Sequence, residues 1–352
     1  MILVINPGST SSKISLFSND AKLIVDSSLN HATEDINKCE NVVDQKDFRI
    51  EAIEHFFSEN KIDTDEIDVV IGRGGLMKFI EGGTYAVNDR LLEDVSIGVN
   101  GQHASNLGAV IANELANKFG VEAFIVDPPV VDELMDIARV SGIKGYERKS
   151  LFHALNQKAI LRRYAKEKGL DINNSNVIVA HMGGGISVGF HKNGKVVDVN
   201  NGLGGQGPFS PERSGTLSPY TVIELMKDYD LPEVKKLITG KGGLVSLIGS
   251  NDMRDLIKLV DEGNTEAKLY LEAMAYQVAK EIASLSVVGN GKLDGIVLTG
   301  GVAYAKDLVE LIKQRVEFLS EVTVYPGEDE QLALALAGMR VLDKIEEVKE
   351  YK

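Results

Sequence analysis

The sequence predicts an α/β fold of two domains, and three observations carry this prediction. The chain has 352 residues, whereas single hydrophobic cores rarely grow beyond about 250–300 residues. Short apolar runs typical of strands alternate with segments of helical periodicity. Both halves open with the same unit of strand, small polar or glycine turn, and second strand, first at Ile2 and again at Val177. We interpret this repeated unit as a diverged internal duplication.

The composition excludes several classes of protein. Apolar residues make up 43% of the chain, which is enough for a packed core and argues against disorder. The net charge of −14 makes nucleic acids and anionic membrane surfaces poor partners. No apolar stretch has the length of a membrane-spanning helix. We therefore expect neither nucleic-acid nor membrane binding.

Two further features predict the compartment. Cys39 is the only cysteine, so a single chain cannot form a disulfide, which fits a reducing compartment. The chain opens directly on the strand-like run 1–5, without the basic segment and cleavage site of a signal peptide. Both features favour the cytoplasm.

The first domain is predicted to span residues 1–127. A helix is expected at 104–119, because its apolar positions have helical spacing and Gly120 follows where a helix usually stops. Asp127 then lies at the end of a buried strand. The strands of this domain are expected at residues 2–5, 13–17 and 121–126.

The second domain is predicted to span residues 128–330, and a final helix at 331–352 is expected to return to the first domain. Ser150 is expected to cap a helix that runs to residue 168. Another helix is expected at 265–287. The strands of this domain are expected at residues 177–180, 186–190, 195–199, 295–299 and 322–325, with a hairpin turn at Asn193-Gly194.

The segment from Asn6 to Lys13 is the first candidate phosphate loop. Its glycine, the hydroxyls of Ser9 and Ser11, and its lysine can surround phosphate oxygens with N–H groups and one positive charge. It is not a Walker loop, because a strand rather than a helix follows Lys13. Taken alone, the segment fits an ordinary hairpin turn with a solvated lysine equally well.

Two further glycine loops follow buried strands. Gly183, Gly184 and Gly185 follow His181 between two strands, where consecutive glycines indicate close approach of a ligand or of another backbone. Gly300-Gly301 ends a buried strand and precedes a helix, as in many nucleotide sites, although a tight connection explains that pair alone. Three loops that each follow a strand are typical of the actin-like ATPase fold, whereas a P-loop enzyme uses one.

Charged side chains near these loops suit phosphoryl transfer as a group. Arg73 lies among glycines after a buried run, and Arg213 lies in a Glu-Arg-Ser-Gly segment. His153 lies in the first turn of the helix expected after Ser150, and Asp127 ends a strand. Each alone fits an ordinary surface or packed residue. Phosphoryl transfer, however, requires positive charge around the moving group and oxygen ligands for a metal.

Taken in order, these motifs resemble the acetate kinase family, and within it the butyrate kinase branch, over nearly the whole chain. The resemblance implies a duplicated actin-like, ribonuclease H-like fold of two domains with the active site in the cleft between them. It implies a reversible reaction in which ATP and a carboxylate give ADP and an acyl phosphate. It also implies a homodimer or higher homo-oligomer.

The resemblance implies roles for individual residues. For catalysis it implies Asp127, His153 and Arg213, the last two on the transferring phosphoryl group. For the carboxylate substrate it implies Arg73, Gly75, His103 and Phe152. For Mg²⁺ it implies Asn6 and Glu330, with Glu328 and Asp329 close enough to leave the choice of acid open. For ATP or ADP it implies Ser9, Ser11, Lys13, His181, Gly183, Gly184, Gly185, Asp252, Arg254, Gly300 and Gly301.

Several positions depart from the acetate kinase pattern. The run 154–157 reads Ala-Leu-Asn-Gln where acetate kinases carry Gly-Thr-Ser-His, and Gly184 replaces an asparagine. Gly75 replaces a valine, and we expect this missing side chain to make room for a longer acyl chain. The expected substrate is therefore a short-chain fatty acid, butyrate first, with branched acids, propionate and acetate as alternatives.

Two other functions fit an actin-like chain. A sugar kinase needs a base for its hydroxyl acceptor and a site rich in acids and amides, whereas these strand ends carry arginine and glycine. A non-enzymatic ATP-binding module needs a large extension for its partner, and no segment is left over for one. We expect Asp127 to position Mg²⁺ through water rather than to act as a base, because a carboxylate acceptor is already ionised.

Overall fold

The computed structural model describes residues 1–352 as an α/β chain of strands, α-helices and short 3₁₀ helices. The strands are β1 (Ile2–Pro7), β2 (Ser11–Phe17), β3 (Leu23–Asn30), β4 (Val69–Arg73), β5 (Thr84–Ala86), β6 (Glu122–Val126), β7 (Asn176–Met182), β8 (Ile186–Lys192), β9 (Lys195–Val199), β10 (Gly295–Gly300) and β11 (Val322–Pro326). The α-helices are α1 (Thr33–Asn37), α2 (Lys46–Glu59), α3 (Asp89–Ile97), α4 (Asn106–Phe119), α5 (Asp136–Arg139), α6 (Ala154–Lys168), α7 (Pro219–Asp228), α8 (Leu231–Thr239), α9 (Leu244–Ile248), α10 (Met253–Asp261), α11 (Thr265–Leu285), α12 (Lys306–Val316) and α13 (Glu330–Leu342). Turns of 3₁₀ helix lie at Val42–Gln45, Thr64–Glu66, Ile172–Asn174, Ser286–Gly289 and Gly301–Tyr304.

The chain divides into two compact units. Unit 1 comprises Met1–Val131 and Asp329–Lys352, and unit 2 comprises Asp132–Glu328. The boundaries expected from the sequence, after residues 127 and 330, lie a few residues away from these. One consequence matters for the site: Glu330, expected in the second domain, belongs to unit 1 because it begins α13.

Unit 1 is built on a six-stranded sheet in the order β3-β2-β1-β4-β6-β5. The first three strands form an antiparallel meander, while β1, β4 and β6 run parallel. Helix α13 packs against β1 and β4, where Gly338 lets the helix approach: a Cβ there would lie 2.9 Å from Ile2 and 3.1 Å from Ile71. The last helix therefore completes the core of unit 1.

Unit 2 repeats this arrangement. Its sheet has the order β11-β10-β7-β8-β9, with β7, β8 and β9 in an antiparallel meander and β10 and β11 parallel to β7. The order is the same as β6-β4-β1-β2-β3 in unit 1, so the repeat inferred from the sequence is also a repeat of topology. Helices α10, α11 and α12 cover one side of this sheet and form the largest apolar cluster with it.

One predicted helix begins later than expected. Ser150 does not cap α6; it is buried, and the helix begins at Ala154 with His153 at its N-terminal boundary. Residues 151–153 are non-helical because Phe152 is fully buried and the backbone N–H of His153 approaches the hydroxyl of Ser187 at 3.4 Å. His153 therefore lies just before the helix rather than within its first turn.

Helical segments in the structure are too short or too polar to cross a bilayer.

Candidate active site

The carboxyl ends of three parallel strands in unit 1 carry predicted site residues. Asn6 lies near the end of β1, Arg73 ends β4, and Asp127 follows β6 directly. Because parallel strands end at the same edge of a sheet, these side chains share one edge. Glu330 joins them as the first residue of α13.

Asn6, Arg73 and Glu330 form one cluster. Nη1 of Arg73 lies 2.5 Å from Oε2 of Glu330, and Nδ2 of Asn6 donates to the same oxygen at 2.9 Å. Nη1 of Arg73 also lies 3.3 Å from Oδ1 of Asn6. The sequence assigned Arg73 to the substrate and the other two to the metal, whereas the structure joins all three. Only Nη1 of the guanidinium makes hydrogen bonds within the protein, so Nη2 and Nε can receive a ligand.

The three neighbouring acids at 328–330 have different partners. Asp329 caps α13 by accepting from the backbone N–H of Leu332 at 3.0 Å. Glu328 lies 3.2 Å from Nε2 of His181 in unit 2. Glu330 contacts Asn6, the other residue expected near the metal. These contacts support Glu330 among the acids that the sequence left open.

Asp127 is held rigidly in an unusual backbone conformation. Its φ is 36°, a left-handed value that costs a non-glycine residue of order 1–3 kcal/mol. Its Oδ1 accepts from the backbone N–H of Gly83 at 2.7 Å, and its own N–H donates back to the Gly83 carbonyl at 3.1 Å. Strain of this kind is concentrated at functional sites, which agrees with the role expected for this carboxylate.

The expectation that Gly75 leaves room for substrate is wrong. A Cβ on Gly75 would lie 2.5 Å from Oδ1 and 2.6 Å from Cα of Asn106, so the space beside this glycine is already filled by α4. Gly74 is packed in the same way, with a would-be Cβ 2.6 Å from Pro128. The glycines after Arg73 therefore allow close packing of the loop. Acyl-chain length must be set elsewhere.

His103 lies in the loop before α4 and is exposed. Its Nδ1 lies 2.8 Å from the hydroxyl of Ser105 and accepts from the backbone N–H of that residue at 3.2 Å. Its ring is thus oriented by local hydrogen bonds, and its role as a substrate residue stays a prediction.

The first candidate phosphate loop is held by a residue that the sequence reasoning missed. Arg49 of α2 is fully buried and donates to the backbone carbonyls of Gly8, Ser9 and Ser11 at 3.0–3.1 Å. Ser9 and Lys13 are exposed at this loop. Burial lowers the pKa of Arg49 to about 10, so it remains charged at neutral pH. Arg49 lies on the same face of α2 as Ile53 and Phe57, and this helical spacing could have indicated from the sequence that Arg49 is buried.

The glycine run of unit 2 is shaped by what approaches it. A Cβ on Gly185 would overlap the guanidinium of Arg213, and one on Gly184 would lie 3.0 Å from Glu212. A Cβ on Gly183 would lie 2.8 Å from Glu328. Each of the three positions therefore excludes a side chain for its own steric reason, because another side chain of the protein packs against it.

Arg213 lies against this run and is half-buried. Its Nη1 donates to the carbonyl of Gly202 at 2.5 Å, while its Nε is buried without a hydrogen-bond partner. Burial lowers the pKa of Arg213, and the nearby Glu212 opposes that effect. A partly desolvated guanidinium with an unused donor is well suited to stabilising an anion.

His153 and His181 stack on each other beside the same run. Their ring centroids are 3.9 Å apart with an interplanar angle of 19°. Nδ1 of His153 lies 3.0 Å from the hydroxyl of Ser187, and Nδ1 of His181 lies 2.8 Å from Oδ1 of Asn156. Phe152, expected to contact substrate, is fully buried.

An open pocket of about 1150 Å³ in unit 2 brings five of the nucleotide candidates together. Gly183, Gly184, Asp252, Arg254 and Gly301 line it, although they come from three distant segments. His181, Gly185 and Gly300 do not line this pocket. The pocket also includes residues that the sequence reasoning did not select: Asn251, Lys258, Tyr304 and Lys306.

Asp252 and Arg254 are paired at the start of α10. The carboxylate accepts from Nε of Arg254 at 2.9 Å and from its backbone N–H at 2.8 Å. These hydrogen bonds lower the pKa of Asp252 to about 2. The guanidinium of Arg254 is exposed and lines the pocket, so it can reach a ligand while its carboxylate partner fixes its direction.

The donor sets fit the cofactors that the sequence implies. The glycine loop at 183–185, where added side chains would collide with Glu328, Glu212 or Arg213, has the exposed backbone that a cradle for phosphates requires. Asn6, Asp127 and Glu330 offer the hard oxygen ligands that Mg²⁺ prefers. The structure contains no group of three or more His, Cys, Asp or Glu side chains that could hold a metal ion between them. Mg²⁺ in kinases needs none, because it binds through one or two carboxylates, phosphates and water.

Comparison with known proteins decides the family. The acetokinase family model matches residues 134–330, more than half of the chain. Butyrate kinase 2 of Clostridium acetobutylicum is 51% identical over 353 residues, covering 100% of this chain and 99% of that protein.

The chain belongs to the acetokinase family. The resemblance inferred from its motifs is confirmed.

Solved structures confirm the fold as well. The acetate kinase of Porphyromonas gingivalis has a TM-score of 0.81 at 21% identity and covers 97% of this chain and 99% of its own. The acetate kinase of Entamoeba histolytica has a TM-score of 0.77 at 19% identity, covering 96% and 98%. These structures show that this member of the acetokinase family has the predicted duplicated α/β fold of the actin-like class.

Proposed function

We propose that the protein reversibly transfers the terminal phosphoryl group of ATP to the carboxylate of a short-chain fatty acid, with butyrate preferred. The observation that carries this proposal is the 51% identity to a butyrate kinase over the full length of both chains. Two features of the geometry support it. Unit 2 has a pocket built from glycine-containing segments, and unit 1 presents a guanidinium with two nitrogens available.

The acceptor explains the choice of side chains. A fatty acid has a pKa of about 4, like other carboxylic acids, so it reacts already ionised and needs no general base. The barrier comes instead from repulsion between the carboxylate and the phosphates. In the proposal Arg73 neutralises the carboxylate, while Arg213 and His153 donate to the moving phosphoryl group.

Residues around the nucleotide have proposed roles as well. Ser9, Ser11 and Lys13 of the first loop and the glycines of the second bind phosphates, and the segments at Asp252 and Gly301 bind the nucleoside. Bound Mg²⁺ would neutralise phosphate charge, with Asn6 and Glu330 as its oxygen ligands and Asp127 positioning it through water. A cytoplasmic location, supported by the lone cysteine, and a homo-oligomeric state complete the proposal.

Acyl-hydroxamate formation tests the function directly. Mg-ATP is offered with acetate, propionate, butyrate, isobutyrate or isovalerate, and hydroxylamine traps the acyl phosphate. Preference for the four-carbon acids is expected. If acetate is the best substrate, the proposed carboxylate kinase activity stands and the proposed preference for butyrate is rejected. If no acid gives hydroxamate while ATP still binds, the proposal fails and sugars become the next acceptors to test.

A further inference from the structure

A chain of hydrogen bonds runs inward from His153 through the core of unit 2. Nδ1 of His153 lies 3.0 Å from the hydroxyl of Ser187, which lies 2.9 Å from Nε2 of Gln157. Oε1 of Gln157 lies 3.0 Å from Nε2 of His191. Ser187, Gln157 and His191 are fully buried. Such a chain can fix which ring nitrogen of His153 carries the proton.

Strand β8 is shaped to receive the Gln157 side chain. Ser187, Gly189 and His191 point to one face of the strand, because alternate residues share a face. A Cβ on Gly189 would lie 2.5 Å from Oε1 of Gln157. The glycine therefore lets the carboxamide lie across the strand and reach both neighbours.

The orientation of the Gln157 carboxamide follows from its surroundings. The end that faces Ser187 lies 2.9 Å from the backbone carbonyl of that residue, and a carbonyl oxygen can only accept. This end is therefore the NH₂ group, and the other end is the oxygen. That oxygen accepts from Nε2 of His191, whose pKa is lowered to about 3 by burial and by Lys158 and Arg162. His191 is thus neutral, with its proton on Nε2.

The Ser187 hydroxyl relays the donor–acceptor direction of these hydrogen bonds from Gln157 to His153. Its oxygen accepts from the carboxamide of Gln157 at 2.9 Å and, more weakly, from the backbone N–H of His153 at 3.4 Å. A hydroxyl has two lone pairs and one proton. With both lone pairs engaged, its proton is donated to Nδ1 of His153, and Nδ1 must be unprotonated.

We propose that Gln157 is a positioning residue that fixes His153 as the neutral tautomer with its proton on Nε2. The inference rests on the proposed function, in which His153 donates a hydrogen bond to the transferring phosphoryl group. Only a ring that carries its proton on the nitrogen opposite Ser187 can donate away from the core. Stacking on His181 at 3.9 Å holds that ring in plane. Gln157 lies one turn into α6, at a position where the sequence departs from acetate kinases.

Nitrogen-15 NMR of histidine-labelled protein tests the tautomer directly. The chain has six histidines, and loss of its signals in His153→Gln assigns the ring of interest. Long-range correlations to the ring protons distinguish a protonated Nε2 from a protonated Nδ1. In the wild-type protein we expect His153 with the proton on Nε2. A proton on Nδ1 overturns the inference.

Gln157→Glu should reverse the donor–acceptor direction of the hydrogen bonds between residue 157, Ser187 and His153. A carboxylate only accepts, so the Ser187 hydroxyl turns toward it and Nδ1 of His153 must become the donor. We expect the inverted tautomer, and a fall in kcat of about 100-fold with little change in the KM for ATP, as for loss of one transition-state donor. Gln314→Glu makes the same chemical change on exposed α12 and is expected to leave tautomer and kcat unchanged.

Ser187→Ala is a milder second variant in case Gln157→Glu does not fold. It removes the hydroxyl that donates to Nδ1, so both tautomers of His153 are expected together with a lower kcat. An unchanged tautomer and kcat in either folded variant overturn the inference. If the wild-type protein phosphorylates no acid, the proposed function fails, and the NMR result still decides the positioning role alone.

Discussion

Arg73 holds Glu330 with one terminal nitrogen and leaves the other two nitrogens to a ligand. This arrangement combines two roles that the motifs assigned separately. A carboxylate ligand on Nη2 and Nε would lie on the same guanidinium that neutralises Glu330. In the proposed function, the substrate and the metal ligand would therefore be electrostatically coupled through one side chain.

Arg73→Ala should raise the KM for the acid by about 10- to 100-fold, because a charge-assisted hydrogen bond contributes about 1.5–3 kcal/mol. Steady-state kinetics with varied acid measure this change. Arg90→Ala, which removes an exposed arginine of unit 1, should leave the KM unchanged. An unaltered KM for the acid in Arg73→Ala would contradict the proposed role of Arg73 in binding the carboxylate.

Arg213 and Gly185 make a second pair that can be tested together. Gly185→Ala forces the guanidinium of Arg213 away, and Arg213→Ala removes it. Both should lower kcat, the latter by a factor on the order of 10³, with the KM for ATP nearly unchanged. Gly142→Ala adds a methyl group where no atom lies within 4 Å and serves as the control. A loss confined to the KM for ATP would contradict a role in the transition state.

The sequence predicted those candidate site residues whose chemistry follows from a local motif. The glycine run, Arg213 and Asn6 are of this kind. It failed where a role depends on distant packing: Gly75 looked like open space because Asn106 is far along the chain. Arg49 was missed because a buried cation whose partners are backbone carbonyls leaves no motif. The Arg73–Glu330 contact joins residues from opposite ends of the chain, which no local pattern reveals.

At the scale of elements, α2 and the β1–β2 loop act as one structure. The loop offers few apolar contacts of its own, and the Arg49 guanidinium supplies the donors for three of its carbonyls. The conformation of the first candidate phosphate loop therefore depends on a helix more than thirty residues away in sequence.

Arg49→Met should loosen the β1–β2 loop. The carbonyls of Gly8 and Ser9 lose the Arg49 donor, whereas that of Ser11 keeps the backbone N–H of Gly8. A buried carbonyl without a donor costs about 1–3 kcal/mol. We expect faster hydrogen exchange in residues 7–12 and an ATP KM raised about tenfold or more. Arg163→Met, an exposed change on α6, is the matched control. Unaltered exchange in residues 7–12 would show that the loop holds its shape without Arg49.

At the scale of the whole molecule, the free energy of unfolding should fall in acid because His191 is buried in its neutral form. The folded-state pKa of His191 is about 3, well below the ordinary value of 6.5. The unfolded state therefore binds a proton first as pH falls, and stability is lost between about pH 6.5 and pH 3, by at most about 1.4 kcal/mol per pH unit.

Urea unfolding at pH 7.5, 6.5, 5.5 and 4.5 measures this dependence. His191→Gln should flatten it, because glutamine does not titrate. His55→Gln replaces an exposed histidine and should leave the slope as in the wild-type protein. Parallel curves for His191→Gln and the wild-type protein would contradict the linkage.

Nucleotide binding should stabilise unit 2, since the residues that line the large pocket belong to it. At Mg-ATP one hundred times the Kd, the expected gain is about 2.7 kcal/mol. Hydrogen exchange should slow in the segments that line the pocket: 183–184, 251–254 and 301–307. Protection absent from all three segments, with ATP bound, would place the nucleotide elsewhere.

The return of α13 to unit 1 has a consequence for synthesis on the ribosome. Unit 2 is continuous in sequence and can fold as soon as its last strand emerges, because domains generally fold as units during synthesis. Unit 1 is translated first but completed last. The face of β1 and β4 that α13 covers stays exposed until all of unit 2 has been made. The order of folding is therefore the reverse of the order of translation, and the uncovered strands of unit 1 are the natural client surface for a chaperone during that interval.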